Sequence, residues 1–267
     1  MTGCTFKQAL DDLRSTNIKP VPITRLRESN QSSGTNLSRF MTSVWNQGHE
    51  ISAGDPVNDY LRSRGLELDA VPGVLRFHEA LKYKHEDIDY GFFPAMLASV
   101  QSVSGEMVCV HRTYLSGSGC GKAEVPKPKK LMPCAISGAT KGAAIRLFPA
   151  GRKLALAEGI ETALAFTQIF GTPSWATVSA VGMENIQLPD EVEEVYLCVD
   201  VDRKGRGEQA VDVAAHRLLT DGRKVFKATP PGELLAGQKS KDWLDFLVER
   251  QASQINVDEV ENDPTIR

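Results

Sequence analysis

From residue 153 onward the sequence alternates short apolar runs with longer helix-like segments, and few folds accept that pattern. Residues 154–157 (LALA) predict a short buried strand, and 159–170 a helix closed by Gly171. Strands follow at 175–180, 194–199 and 224–228, with helices at 209–219, closed by Asp221-Gly222, and at 242–249. Strands separated by helices of this length cannot pair as hairpins. They cross over, and the outcome is a parallel, doubly wound sheet covered on both faces. Such a sheet places its ligands beyond the carboxyl ends of its strands.

Two of the predicted strands run into carboxylates at that end. LALA leads into Glu158-Gly159, and VYLCV into Asp200-Val201-Asp202. Residues i and i+2 of a strand project to the same side. Asp200 and Asp202 therefore converge if the extended conformation continues through Val201, while Gly159 permits the turn that leaves Glu158 at the sheet edge. Three carboxylates so placed repel one another unless a cation sits between them. A donor set made only of oxygen selects Mg²⁺ or Mn²⁺. Each piece alone has a plainer reading. Glu158 could cap a helix, and a DxD pair also occurs in haloacid-dehalogenase-type phosphatases and some glycosyltransferases. The phosphatase pattern needs its aspartate strand early and Thr or Val after DxD, whereas here Arg203 follows and about 200 residues precede. Glu161, three residues past Glu158, shares its face on a helix; it is a neighbour of the site or an ordinary first-turn acid. Asp242 opens the last helix and reads as a cap.

Upstream, residues 6–14 predict a short helix stopped by the Pro20 and Pro22 pair, and 28–38 (ESNQSSGTNLS) a polar linker. A helix at 38–47 is capped by Ser38, and another starts at Asp55-Pro56 and ends at Gly65. Residues 94–103 and 106–115 are β-prone and flank Ser104-Gly105, a hairpin turn. Between Arg112 and Lys153 the positive residues are Arg112, Lys122, Lys127, Lys129, Lys130, Lys141, Arg146, Arg152 and Lys153, opposed only by Glu124. A local positive field in a chain of net charge −3 is what a phosphate-binding groove requires. Lys127, Lys129 and Lys130 lie among prolines and read as a solvated loop. Arg112 and Arg146 sit in apolar stretches, where an unpaired charge is costly, and suit bidentate phosphate contact. Tyr114 and His111 have two readings, rings that stack on bases and, the plainer one, half-buried core.

Several classes are excluded. The five cysteines, Cys4, Cys109, Cys120, Cys134 and Cys198, show no CxxC pair and no zinc-finger spacing, so they read as reduced thiols. No apolar run reaches the roughly 18–20 residues of a membrane span, and the first ten residues form no signal sequence. The expected location is the cytoplasm, with no membrane partner. Gly121-Lys122-Ala123 at the end of the glycine-rich tip is not a Walker A motif: alanine stands where the magnesium-binding Ser or Thr belongs.

Ala157-Glu158-Gly159, then about forty residues, then Asp200-Val201-Asp202-Arg203-Lys204-Gly205 opening a helix, resembles the Toprim domain of primases, topoisomerases and some nucleases. Tyr60-Leu-Arg-Ser-Arg-Gly65, Val110-His-Arg-Thr-Tyr-Leu115, Gly142-Ala-Ala-Ile-Arg-Leu147 and Leu156-Ala-Glu-Gly-Ile-Glu-Thr-Ala-Leu164 extend the likeness to primase-type Toprim proteins of phages, plasmids and integrated elements. The resemblance implies a Rossmann-like Toprim domain at 151–250 preceded by a mixed α+β subdomain at 51–150, with a helical region and linker at 1–50 and a polar tail at 251–267. It implies a metal-dependent nucleotidyltransferase that makes primers on single-stranded DNA from nucleoside triphosphates. Glu158, Asp200 and Asp202 would be its catalytic and metal-binding residues. Arg112, Lys122, Lys141 and Arg146 would meet DNA or nucleotide, and Glu161 and Asp242 would support the site. Helicase and zinc-module partners follow from the same resemblance. A Toprim nuclease and a catalytically silent DNA-binding subunit of a replication assembly are the alternatives.

Overall fold

The structure, a computed structural model, describes the backbone of residues 23–261 except 135, 235 and 236, and the side chains of 35–253 with the same exceptions. The expected helix at 6–14 and its proline stop lie outside the described residues. Helix α1 (Ile23–Gln47) runs straight through the stretch 28–38 read as a linker. That stretch has no proline and one glycine, so nothing in it interrupts helical hydrogen bonding. Farther along, Met41 and Val44 are buried and fasten the helix to the core. Helix α2 (Pro56–Ser63) starts at the Asp55-Pro56 signal and buries Val57, Tyr60 and Leu61.

An antiparallel sheet follows, in the order β1 (Leu75–His85), β2 (Ile88–Gln101), β3 (Met107–Tyr114), β4 (Lys129–Leu131). The hairpin around Ser104-Gly105 is present as expected, and Gly105 takes the positive φ of 87° that its turn requires. The first strand, its charged residues interleaved with apolar ones, was not legible in the sequence. It pairs with β2 through the two-residue loop Glu86-Asp87, both at positive φ, the geometry that matches the twist of a hairpin.

The second sheet is all parallel, in the order β6 (Ser174–Ala176), β5 (Lys153–Ala157), β7 (Glu194–Cys198), β9 (Lys224–Ala228). Period-two alternation gives β5 two apolar faces. Ala155 and Ala157 face one core, with α3 (Ile160–Phe170) and the start of α6 (Trp243–Glu261). Leu154 and Leu156 face the other, with α5 (Arg206–Thr220) and the short helix α4 (Ala180–Asn185). This is the doubly wound α/β domain that the alternation predicts. The strand expected at 175–180 is shorter. The Ser179 hydroxyl accepts from the Gly182 amide at 3.0 Å and caps α4 instead. Helix α6 continues past 251, where a polar tail was expected, because no proline or glycine stops it. The core around α3 is continuous with that of the antiparallel sheet, and single bridges (Gln101 with Ala144, Ile145 with Ala176) tie the sheets together.

Candidate active site

The central strands β5 and β7 are neighbours, so their carboxyl ends release Glu158 and Asp200 side by side at one edge of the sheet. Beyond β7 the two-residue strand β8 (Val201–Asp202) pairs antiparallel with β10 (Ser240–Lys241), Val201 opposite Lys241. That pairing brings Asp242 next to Asp200. Glu158, Asp200 and Asp242 form one wall of a cleft of about 210 Å³; Arg64, Lys122, Lys129 and His111 line it as well.

Asp200 is the most perturbed acid of the cleft. Burial and then the charges of Asp242 and Glu158 push its carboxyl up to about 7. Its Oδ1 is buried and has no hydrogen-bond partner. The Glu158 carboxyl is also raised, by burial, against the opposing pull of Arg206 and Lys129. The other two acids have found partners of their own. The Asp202 carboxylate accepts from the amides of Lys204 (2.7 Å) and Gly207 (3.1 Å) at the start of α5, and these amides hold it below the usual range. Asp242 caps α6: its Oδ1 accepts from the amides of Leu244 (2.8 Å) and Asp245 (3.1 Å), and its Oδ2 from the Thr162 hydroxyl (2.9 Å). The Asp245 carboxylate in turn accepts from the Asp242 amide, a reciprocal box.

Asp202 is therefore held by backbone amides, while its charge still helps to raise the carboxyls of both Asp200 and Glu158. Among the described residues no three Asp, Glu, His or Cys side chains group closely enough to hold a metal. The free amides at the start of a helix are a ready partner for the Asp202 carboxylate. A divalent cation nonetheless suits the donors present: an orphaned carboxylate oxygen on Asp200, in a crowd of acids whose repulsion a cation relieves.

The opposite wall is organised by Glu161, which is buried at 4% exposure. Its carboxylate accepts from Tyr60 Oη at 2.6 Å and Lys129 Nζ at 2.8 Å, with Lys122 Nζ at 3.8 Å. Burial alone would raise the carboxyl, but the two lysines and the tyrosine hold it down to about 2. Glu161 is thus an ionic hub that joins α2, the 116–123 tip and β4 to helix α3 of the parallel-sheet domain. His111 lies beside it, pushed down to about 4 by burial first and the Lys129 charge second, so the ring is neutral; its Nδ1 has no partner.

The basic residues expected to meet DNA divide. Lys122 lines the cleft; Lys141 lines the neighbouring pocket. Arg112 projects from the face of β3 opposite His111, where it donates to the Tyr114 hydroxyl (3.2 Å) and the Leu131 carbonyl (3.1 Å). Arg146 stacks on Trp175, 4.5 Å from the ring centroid, and donates to the Val103 carbonyl at 2.6 Å. Neither arginine lines the cleft. Lys129, read as part of a solvated loop, is instead a cleft residue, because three residues of that segment add to the sheet as β4. Its alternation with Lys130 is the signal that could have separated the two.

Residues 153–253 match the model of the Toprim domain, and residues 35–147 match that of a domain of unknown function, DUF7146. The chain therefore carries a Toprim domain. Among solved structures it is similar to a DNA primase domain from Pseudomonas aeruginosa: 15% identity over 84% of this chain and 78% of that one, TM-score 0.51. It also matches the primase fragment of the bacteriophage T7 primase-helicase protein, 17% identical over 74% of this chain and 67% of that one, TM-score 0.43. The Aquifex aeolicus primase, with its zinc-binding and RNA polymerase domains, is 14% identical, TM-score 0.49; this chain is covered to 94% but spans only 65% of that one. At such identities the likeness is one of fold. No curated protein matches the sequence. Among the described residues no helix is long and apolar enough to cross a membrane.

Proposed function

We propose that the chain is a primase-like nucleotidyltransferase, dependent on Mg²⁺ or Mn²⁺, that builds primers on single-stranded DNA from nucleoside triphosphates. The observation that carries this reading is Asp200: an unpartnered buried carboxylate oxygen, crowded by acids, facing a lysine wall across one cleft. Asp200 and Glu158 would hold the cation with Asp242 beside them, and Asp202 joins them when its carboxylate leaves the amides of α5. A bound divalent cation would neutralise phosphate charge and stabilise the charge that develops in phosphoryl transfer. Lys122 and Lys129, held at the cleft by buried Glu161, would orient phosphate oxygens by charge-assisted hydrogen bonds. Glu158, half-buried and raised, would take or return a proton at the attacking hydroxyl.

The test is template-dependent incorporation of labelled ribonucleotides on single-stranded DNA with Mg²⁺, with and without a replicative helicase, while strand cleavage is scored in parallel. Glu158→Gln keeps shape and DNA binding and should cut incorporation by about a hundredfold or more. Cleavage without incorporation would establish a nuclease instead. A wild-type protein that does neither under any of these conditions is a binding subunit.

A further inference from the structure

Two cysteines that the cleft chemistry does not use lie against each other. Cys134 Sγ donates to Cys109 Sγ at 3.2 Å. The two are 25 residues apart in sequence, so no short motif announces the pair. The register of β3 and β4 makes it. Met132, the residue after β4, extends the ladder by one bond, its amide donating to the Val110 carbonyl at 2.9 Å. Pro133 has no N–H with which to continue. Cys134 follows it, beside Cys109 of β3.

The surroundings of the two sulfurs differ. Cys109 is buried, whereas Cys134 is part-exposed. The Cys109 thiol also donates to the Met132 carbonyl at 3.2 Å. Burial first, and then the Cys134 sulfur, push that thiol well above the ordinary range. A reagent in solution therefore meets Cys134 first, and Cys109 stands behind it as the resolving thiol. Neighbouring strands lie about 5 Å apart, inside the span that a disulfide bridges, and the sulfurs have roughly 1 Å to close. Among the described residues no other thiol has a second sulfur within hydrogen-bonding reach: Cys120 is exposed and donates to the Ser118 carbonyl, and Cys198 is buried.

The chain between the two sulfurs carries His111, Lys122 and Lys129, three residues that line the cleft. Strand β4 is only three residues long and forms the edge of its sheet. It is held by its ladder to β3 and, through Lys129, by Glu161. A bond between Cys109 and Cys134 closes the loop just past β4 and fixes that edge to β3.

We infer that Cys109 and Cys134 are a reversible dithiol–disulfide pair, oxidised by a low-molecular-weight disulfide, and that the bond clamps the β4 segment to β3. The Cys134 thiolate attacks one sulfur of the reagent. The reagent's S–S bond breaks, one thiolate leaves, and Cys134 is held in a mixed disulfide. The Cys109 sulfur then attacks Cys134 Sγ, and the mixed disulfide breaks to release the second thiolate. The two departing thiolates take up the two protons that the cysteines give up. The pair loses two electrons, and the reagent gains them as it is reduced to two thiols. The clamp is independent of the reaction proposed for the cleft.

The experiment exposes the full native chain to glutathione buffers of increasing oxidised-to-reduced ratio, traps free thiols with N-ethylmaleimide and maps the products by peptide mass spectrometry. Oxidising buffer should yield a peptide pair linked through Cys109 and Cys134, and excess reduced glutathione should return both thiols without denaturant. Cys109→Ala should stop Cys134 at the mixed disulfide with glutathione. Cys134→Ser, at the part-exposed position and so milder for the fold, should leave Cys109 unmodified. In the wild type, hydrogen exchange of the amides at 129–132 should slow by about tenfold or more on oxidation, within what closing a loop of this size supplies. A wild-type chain that accumulates glutathione on Cys134 without the link, forms the link only in denaturant, or holds it against excess reduced glutathione overturns the reversible pair. A link that leaves exchange at 129–132 unchanged overturns the clamp.

Discussion

Replacing Asp200 by Asn in the metal-free protein should make the protein more stable, by an amount that depends on pH. Asp200 is raised to about 7 in the fold by burial and its acidic neighbours, against an ordinary value of 3.8. A raised carboxyl binds more protons in the folded than in the unfolded state at intermediate pH, so stability falls as pH rises from about 4 to about 7. Above that window the penalty is complete. At about 1.4 kcal/mol per pH unit it amounts to about 4 kcal/mol at pH 8 and about 2 kcal/mol at pH 5. Asparagine keeps the shape and removes the charge, so Asp200→Asn should gain stability of that order at pH 8 and about half as much at pH 5. At roughly 2–4 °C per kcal/mol the gain is readily seen in thermal unfolding with chelator present. Excess Mn²⁺ should then reverse the ranking, since it stabilises the wild type by mass action and leaves the variant unmoved. A variant no more stable than wild type at pH 8, or one whose gain is the same at both pH values, would refute the account of Asp200 as an uncompensated charge.

Three further outcomes follow from particular contacts. Gly207→Ala would place a methyl group 2.3 Å from the Asp200 carbonyl oxygen, and should cost at least about 2 kcal/mol in denaturant unfolding and abolish Mn²⁺ binding. Glu161→Gln removes the buried charge that holds Lys129 and Lys122, both about a third exposed, and should destabilise by about 1.5–3 kcal/mol at pH 7, the worth of hydrogen bonds to a charged group. Because the Glu161 carboxyl is held down to about 2, that loss should persist at pH 5 and shrink only on further acidification. Single-stranded DNA affinity should fall with salt at a log–log slope of about −0.7 per neutralised phosphate; Lys122→Ala should flatten it, whereas Arg112→Ala should cost stability without changing it.

The parallel α/β domain and the identity of its acids were legible in the chain's own periodicity. Apolar runs of strand length alternating with helices leave one economical fold. In that fold carboxylates after adjacent strands must meet at one sheet edge, as Glu158 and Asp200 do. These are local signals, carried by periodicity and by turn residues such as Gly159 and Gly205. Which charges line the cleft is another matter. Asp202 sits two residues from Asp200, yet its carboxylate accepts from amides at the start of α5, and the pairing of β8 with β10 brings Asp242 beside Asp200. Arg112 and Lys129 exchange places about the cleft for the same kind of reason. A one-residue alternation in β3 sends the arginine to the far face, and three residues of a proline-rich segment join the sheet to send the lysine inward. Glu161 meets Tyr60 from 101 residues away. Such partners are set by strand register and by the docking of two subdomains, and long-range pairings of that kind leave no periodicity in the chain; only the tertiary structure could choose among them.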